Sequence, residues 1–140
     1  MRLVVDASVI VKWLLADSAR EPDTERAIAL MRRIVAGEAE LLMPPHWLAE
    51  VAAVLVRHAP ESAAASVERL VAMEWPVENG SEVFRVACDL SRSTGQHVFD
   101  TLYHAVALTT PDAVLVTADD RYRRAAKAHG RIRPLAEMPR

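Results

Sequence analysis

The sequence of 140 residues has the length of one domain, and an apolar fraction of 51% is enough for a hydrophobic core. This composition excludes a disordered chain, and no apolar run approaches the roughly 18 residues of a membrane span. The net charge of −2 divides into −7 for residues 1–119 and +5 for residues 120–140. We therefore predict one domain over residues 1–140, with a basic C-terminal segment.

Apolar patterning predicts strands that alternate with helices. In chain order, the predicted elements are strand 2–6, helix 8–15, loop 17–23, helix 23–36, strand 40–43, helix 46–58, helix 61–73, a weaker strand 74–77, helix 80–93, helix 99–109, strand 113–117, helix 120–129 and strand 132–135. This alternation predicts an α/β fold with a mostly parallel sheet covered on both faces. In such folds, ligands bind at the carboxyl ends of the strands.

The N-terminus and the cysteine content indicate a cytoplasmic protein. Met1 and Arg2 lead directly into strand-like sequence instead of a signal peptide. The single cysteine, Cys88, cannot form an internal disulfide, and its place in a helical pattern predicts a small core residue. Both observations fit a reducing compartment.

Four acidic residues lie where apolar elements begin or end. Asp6 ends the first predicted strand, Asp119 follows strand 113–117, Asp100 opens a helix and Glu50 lies inside another. A fold that brings them together makes a pocket of repelling anions, which a cation must neutralise. A divalent-metal site for phosphate chemistry is the simplest interpretation.

Each aspartate also has an ordinary alternative role as a helix N-cap, and Ser8 could share that role with Asp6. Caps need not converge on one point, whereas metal ligands must. Glu50 is placed in a helix interior, where capping is not possible, on the flank of the apolar face. Its side chain either points into a cleft or reaches solvent.

The donor types favour Mg²⁺ or Mn²⁺, which prefer oxygen ligands and can activate water for phosphodiester hydrolysis. The hydroxyls of Ser8 and Thr117 stand beside the carboxylates and suit contacts to a ligand water or carboxylate. Zinc is disfavoured because no Cys or His pair has the usual spacing. We expect His104 to be a partly exposed structural residue, and the role of His97 stays open.

The sequence resembles the PIN-domain family, and within it the VapC-type toxins of bacterial and archaeal toxin–antitoxin pairs. The resemblance rests on four segments: VVDASV at 4–9 with KWL at 12–14, PPHWLAEV at 44–51, FDTLYHAVA at 99–107, and LVTAD at 115–119. Each segment alone is a weak motif. All four occur in the family's order and span nearly the whole chain.

The resemblance implies a Rossmann-like three-layer α/β/α fold and a Mg²⁺- or Mn²⁺-dependent endoribonuclease. It assigns Asp6, Glu50, Asp100 and Asp119 to the family's metal-binding acidic quartet and Thr117 to the associated hydroxyl residue. It also implies a homodimer, and a VapB-like antitoxin whose tail fills the active-site groove in a hetero-oligomer. The residues expected to contact RNA or the antitoxin are Ser8 and the basic residues Arg121, Arg123, Arg124 and Lys127.

Two positions leave alternatives open. Many relatives carry Asn three residues after the helical Glu, where this chain has Ala53. That loss of a polar group leaves room for a catalytically silent protein that holds RNA or a partner. Asp120 competes with Asp119 as the last acidic residue, although the Thr-x-Asp spacing favours Asp119.

A phosphatase or phosphoacceptor domain is disfavoured, because neither paired acids after the first strand nor the expected later lysine is evident.

Overall fold

The computed structural model describes residues 1–15 and 22–140, so the predicted loop at 17–23 lies mostly outside the described residues. The strands found there are β1 (Arg2–Val5), β2 (Glu40–Leu41), β3 (Ala113–Thr117) and β4 (Ile132–Pro134). The helices are α1 (Ala7–Leu14), α2 (Thr24–Val35), α3 (Trp47–His58), α4 (Ala63–Ala72), α5 (Ser81–Thr94), α6 (Val98–Thr109) and α7 (Asp120–Ala126). Short 3₁₀ turns cover Lys127–His129 and Leu135–Glu137.

The strands pair in parallel in the order β2-β1-β3-β4, which confirms the predicted parallel sheet. β1 lies beside β3, with Val5 opposite Val116. Both strands are runs of apolar residues, and Leu3, Val4 and Val5 are no more than 1% exposed. A parallel strand is covered on both faces, so it needs such a continuous run instead of an alternating pattern.

Helices cover both faces of this sheet in a three-layer α/β/α arrangement, as predicted. The chain moves from β1 to β2 through α1 and α2, and then in the opposite direction to β3 and β4. Such connections are right-handed in nearly all proteins, so the early and late helices lie on opposite faces. α6 packs on β1 and β3 and pairs with α5, whereas α1 packs on α2 and also contacts α3.

The predicted strand at 74–77 is wrong. Only one parallel bridge forms there, between Val77 and Met43. Pro76 has no N–H to donate, and its carbonyl oxygen accepts one bond of 3.0 Å from Met43 N. Glu74 takes a positive φ of 51°, which breaks the extended conformation before a strand can start.

The predicted core position of Cys88 is also wrong, because this side chain is exposed. α5 buries Val83, Ala87 and Leu90, which recur at helical spacing. Cys88 follows Ala87 directly, so it is turned about 100° away from this buried stripe. The thiol therefore does not pack in the core.

The predicted helix at 120–129 is shorter than expected. α7 ends at Ala126, a 3₁₀ turn continues to His129, and Gly130 then takes a φ of 77° that favours glycine. The remaining element bounds agree with the sequence prediction to within about two residues. None of the helices in the described parts of the chain has the length and apolar character that a membrane crossing requires.

Candidate active site

A cleft opens at the carboxyl ends of β1 and β3. These neighbouring strands lead in opposite directions across the sheet, β1 towards β2 and β3 towards β4. Such a switch leaves a crevice in which open α/β sheets bind their ligands. A cavity of about 390 Å³ lies at this cleft, and its lining residues are Asp6, Ala7, Ser8, Val11, Lys12, Glu50, Val54, Asp100, Ala118 and Asp119. The structure thus brings all four predicted carboxylates to one place.

Asp6 lies directly after β1 and is the N-cap of α1. Its Oδ1 accepts a 3.0 Å bond from the Ser8 N–H and a second bond from the Ser8 hydroxyl. Its Oδ2 accepts a bond from the Thr117 hydroxyl. The capping role and the place in the cleft are therefore compatible, and the hydrogen bonds fix the carboxylate in one orientation.

Asp119 has the same double role beyond β3. Its Oδ1 caps α7 by accepting a 3.0 Å bond from Tyr122 N, and its own N–H donates to Thr117 Oγ1 at 2.9 Å. The Ser8 hydroxyl accepts a 3.1 Å bond from Ala118 N. Thr117 is only 1% exposed, so it stands behind the cleft instead of lining it. The two hydroxyl residues tie the loop after β1 to the loop after β3.

Glu50 is in the first turn of α3, and it does not cap this helix, because the N-cap is His46. Its N–H donates to the His46 carbonyl, and its side chain, 27% exposed, faces the cleft. Tyr103 donates from its hydroxyl to Oε1 at 3.3 Å, and His46 Nε2 lies 3.5 Å from Oε2. A carboxylate in a first turn is also favoured by the helix dipole.

Asp100 lies in the first turn of α6 but does not cap this helix. The cap is His97, whose Nδ1 accepts a 3.1 Å bond from Phe99 N. This observation gives His97 a structural role that the sequence left open. It also removes the capping explanation for Asp100, whose side chain lines the cleft.

The cleft disfavours ionisation of two of the carboxylates that line it, Asp6 and Asp100. Burial raises the pKa of Asp6 to about 6, and the charges of Asp119 and Glu50 add to this rise, against the hydrogen bonds from Ser8 and Thr117. Burial likewise raises the pKa of Asp100, again with contributions from Glu50 and Asp119. A bound cation would relieve this repulsion and favour the ionised forms.

Residues 3–128 match the PIN domain family. The chain belongs to this family. PIN domains are generally nucleases, and they typically use divalent metal ions. None of the curated proteins compared with the chain matches it.

The donor set of this PIN domain fits a hard divalent ion, since carboxylate and hydroxyl oxygens line or back the cleft. Within residues 1–15 and 22–140, no group of three or more His, Cys, Asp or Glu side chains is arranged to hold a metal ion. Mg²⁺ commonly uses one or two protein carboxylates and keeps several waters. The cleft therefore suits an ion that is bound partly through water.

Asp120 lies outside the cleft of the PIN domain. It is exposed and pairs with Arg123 at 2.8 Å and Arg124 at 3.1 Å. The hydrogen bond from Arg123 is the main reason that the pKa of this carboxyl is lowered. The other predicted basic contacts, Arg121 and Lys127, are exposed on the same segment and do not line the cleft.

Sequence reasoning missed several side chains at this site. Lys12 lines the cleft, and Tyr103 and His46 hold Glu50. Helical spacing could have found two of them, because Lys12 is four residues after Ser8 and Tyr103 three residues after Asp100. Ala53, the position that departs from many relatives, is exposed and is not among the lining residues.

His104 was expected to be partly exposed, but it is fully buried. Its Nε2 lies 2.7 Å from the Gly130 carbonyl oxygen, so this nitrogen must carry the proton. Nδ1 then accepts a bond from the Tyr122 hydroxyl at 3.0 Å. Burial lowers the pKa of His104, which fits a neutral structural residue.

Proposed function

We propose that this PIN domain is a Mg²⁺- or Mn²⁺-dependent endoribonuclease and the VapC-type toxin of a type II toxin–antitoxin pair. The observation that carries the nuclease proposal is the convergence of Asp6, Glu50, Asp100 and Asp119 on one cleft at the sheet's switch point. In this proposal, Asp6, Asp100 and Asp119 would hold the ion, directly or through its bound waters. When bound, the ion supplies a water of lowered pKa and stabilises the leaving oxygen.

The protein's own groups orient the reacting centre. Ser8 and Thr117 fix both oxygens of Asp6, and Tyr103 fixes one oxygen of Glu50. Glu50 either binds metal directly or positions the attacking water. The water oxygen forms a bond to phosphorus and the bond to the 3′ oxygen breaks, which yields 5′-phosphate and 3′-hydroxyl ends. Rigid orientation of this kind lowers the barrier because little reorganisation is needed.

The nuclease proposal is tested with purified protein and structured RNA. Cleavage should occur with Mg²⁺ or Mn²⁺ and stop in excess EDTA. Asp6→Asn should reduce it by about 100-fold or more, because the substitution removes one charge from the ion's surroundings. Asp89→Asn is the matched control, since this exposed carboxylate lies on α5. Undiminished cleavage by Asp6→Asn, or in EDTA, contradicts the mechanism.

A catalytically silent RNA- or partner-binding protein is the second candidate. Its motive is Ala53, which stands three residues after Glu50, where many relatives carry Asn. Titration calorimetry with Mn²⁺ separates the two candidates. Metal binding without turnover of any RNA pool supports the silent protein, and turnover supports the nuclease.

The proposed toxin role requires partners. These would be a VapB-like antitoxin, RNA and a second copy of the chain, in a cytoplasmic hetero-oligomer. The exposed residues Arg121, Arg124 and Lys127, together with the partly buried Arg123, would contact RNA or the antitoxin. Expression of the chain should arrest growth of a bacterial host, and co-expression of a short neighbouring gene product should relieve the arrest. Light scattering should give a dimer mass for the chain alone. Unimpaired growth with active enzyme contradicts the toxin role and leaves the nuclease proposal intact.

A further inference from the structure

An aromatic ledge made of His46, His97 and Phe99 lies beside the cleft. Phe99 immediately precedes the cleft carboxylate Asp100, and its side chain is 55% exposed. Its ring stacks on His46 with centroids 5.4 Å apart and an interplanar angle of 27°. The His97 ring also contacts Phe99, with the two ring centroids 4.8 Å apart and the ring planes inclined at 48°.

The ledge is fixed to the cleft through His46. The imidazole Nε2 lies 2.7 Å from the Phe99 carbonyl oxygen and 3.5 Å from Glu50 Oε2. Since both neighbours are acceptors, Nε2 carries the proton. The same ring meets Tyr103 edge to face at 4.9 Å, and Tyr103 is almost completely buried. One histidine therefore positions both the exposed Phe99 ring and a carboxylate of the cleft.

The chemistry of the ledge suits a nucleobase. Four carboxylates line the cleft, so an RNA phosphate backbone is repelled there wherever a cation does not compensate. Stacking on an aromatic face does not depend on the charge of the ligand, and every base offers a π-face. An exposed ring held by neighbouring rings is ordered before a base arrives, so little conformational entropy is lost on binding.

We infer that Phe99 is a base-stacking residue, which binds an unpaired nucleobase next to the scissile phosphate with His46 and His97 as its supports. This inference rests on the proposed nuclease function and adds to it a substrate requirement. The RNA must present an unstacked base at the cleavage site. A fully paired substrate should be poor, because its bases are buried in the helix.

The test compares Phe99→Leu with Phe99→Tyr on a single-stranded oligoribonucleotide cleaved with Mn²⁺. Leu keeps an apolar side chain without the π-face, whereas Tyr keeps the π-face. We expect Phe99→Leu to raise KM roughly 10- to 100-fold with little change in kcat, and Phe99→Tyr to restore the original KM. Phe84→Leu is the matched control. Phe84 is 42% exposed near the start of α5, and its neighbour Val83 lies by Thr109 at the far end of α6.

A substrate series makes the test specific for stacking. Abasic nucleotides are placed one at a time around the cleavage site. At one position, loss of the base should raise the KM of the original protein as much as Phe99→Leu does. The same abasic substrate should raise the KM of the Phe99→Leu variant little further. Mn²⁺ affinity and thermal stability should be the same in both proteins, because Phe99 is exposed and does not bind the ion.

Each outcome decides the inference. If the protein cleaves RNA and Phe99→Leu leaves KM unchanged, the stacking role is wrong and the nuclease proposal stands. If Phe99→Leu impairs only the binding of a protein partner, the ledge is a protein contact. If the original protein does not cleave RNA, fluorescence polarisation with the same labelled oligonucleotide gives its binding. Equal binding by Phe99→Leu, or no binding by either protein, overturns the inference.

Discussion

Asp119 and Asp120 are adjacent in sequence but stand in different surroundings. Asp119 lines the cleft and caps α7, whereas Asp120 is exposed between Arg123 and Arg124. The sequence alone favoured Asp119 through its spacing from Thr117. In the structure the two differ because Asp120 is the first residue of α7 and points its carboxylate along the helix surface.

Substitution by Asn should therefore impair activity at Asp119 but not at Asp120. Asp119→Asn should lower the cleavage rate by about 100-fold, because it removes a negative charge from the proposed metal site. Stability should change little, since the Asn side-chain oxygen can still cap α7. Asp120→Asn should leave the rate within about twofold, because this ion pair is on the surface. Steady-state cleavage rates and urea denaturation check both statements, and an equal loss for Asp120→Asn contradicts the assignment.

Asp6 carries a cost in stability when the cleft holds no cation. Its pKa in the folded protein is about 6, above the ordinary value of 3.8, chiefly because it is buried. The folded state thus binds the proton more tightly than the unfolded state. The stabilisation from protonated Asp6 is present below pH 3.8 and is lost as pH rises through about 6.

In EDTA at pH 8, Asp6→Asn should therefore raise the free energy of unfolding by about 1–2 kcal/mol. The full effect of a shift of this size is larger, but the amide accepts hydrogen bonds from Ser8 and Thr117 less well than two carboxylate oxygens do. Urea denaturation of both proteins at pH 8 and pH 4 measures the gain. It should be small at pH 4, and a gain of equal size at both pH values contradicts the electrostatic explanation.

Sequence identified the residue types of the site but not their contacts. Asp6, Asp100 and Asp119 were recognisable because each adjoins an apolar element. The support of Glu50 by Tyr103 was not, because these residues are 53 positions apart and meet only after α3 and α6 dock. Cys88 was misplaced because a step of one residue along a helix rotates the side chain by about 100°, which is enough to separate a buried from an exposed position.

Three elements meet at His104. The residue belongs to α6, bonds Tyr122 of α7, and bonds the Gly130 carbonyl just before β4. Because Tyr122 N also bonds Asp119, this link supports the part of the cleft that lies beyond β3. The buried imidazole is neutral, and a second proton would leave Nδ1–H facing a hydroxyl that must then reverse its hydrogen bond.

Acid should weaken this link between elements. Burial places the pKa of folded His104 below the ordinary value of 6.5, so the unfolded chain takes up the proton first. The contribution of His104 to the free energy of unfolding should therefore fall as pH drops below about 6.5, opposite in sign to the contribution of Asp6. The substitution His104→Gln, which cannot titrate, removes this contribution, so the free energy of unfolding of the variant relative to the original protein should rise as pH falls from 6.5 to 5. Nitrogen-detected NMR should show the neutral Nε2–H form at pH 6.5, and a charged imidazole at that pH contradicts the assignment.

At the level of elements, periodicity predicts well where packing agrees with it. Strand 113–117 was placed correctly because β3 is a continuous apolar run buried between two helical layers. The strand at 74–77 was not, since Pro76 and the positive φ of Glu74 prevent a ladder that apolar residues alone suggest. The end of α7 was missed because the 3₁₀ turn that follows it leads to Gly130, whose carbonyl oxygen bonds His104 of α6. This contact between distant residues is not visible in the local sequence.

Across the whole molecule, the cleft depends on the complete parallel sheet. Its carboxylates come from positions 6, 50, 100 and 119, and they meet only when β1 and β3 pair and α3 and α6 dock above them. The unfolded chain holds these groups far apart, so a divalent ion should bind it weakly. Binding to the folded state alone stabilises the entire domain, by an amount that grows with the free ion concentration.

Mn²⁺ should therefore raise the urea midpoint of the protein at pH 8, without a change in the slope of the transition. At an ion concentration about a hundred times the Kd, the gain in the free energy of unfolding should be about 2.7 kcal/mol. Asp119→Asn should reduce this gain, because the ion loses one charged partner. Asp120→Asn should show the same gain as the original protein, since its carboxylate lies outside the cleft. No shift at millimolar Mn²⁺, or an equal shift in all three proteins, contradicts a metal site formed by the four cleft carboxylates.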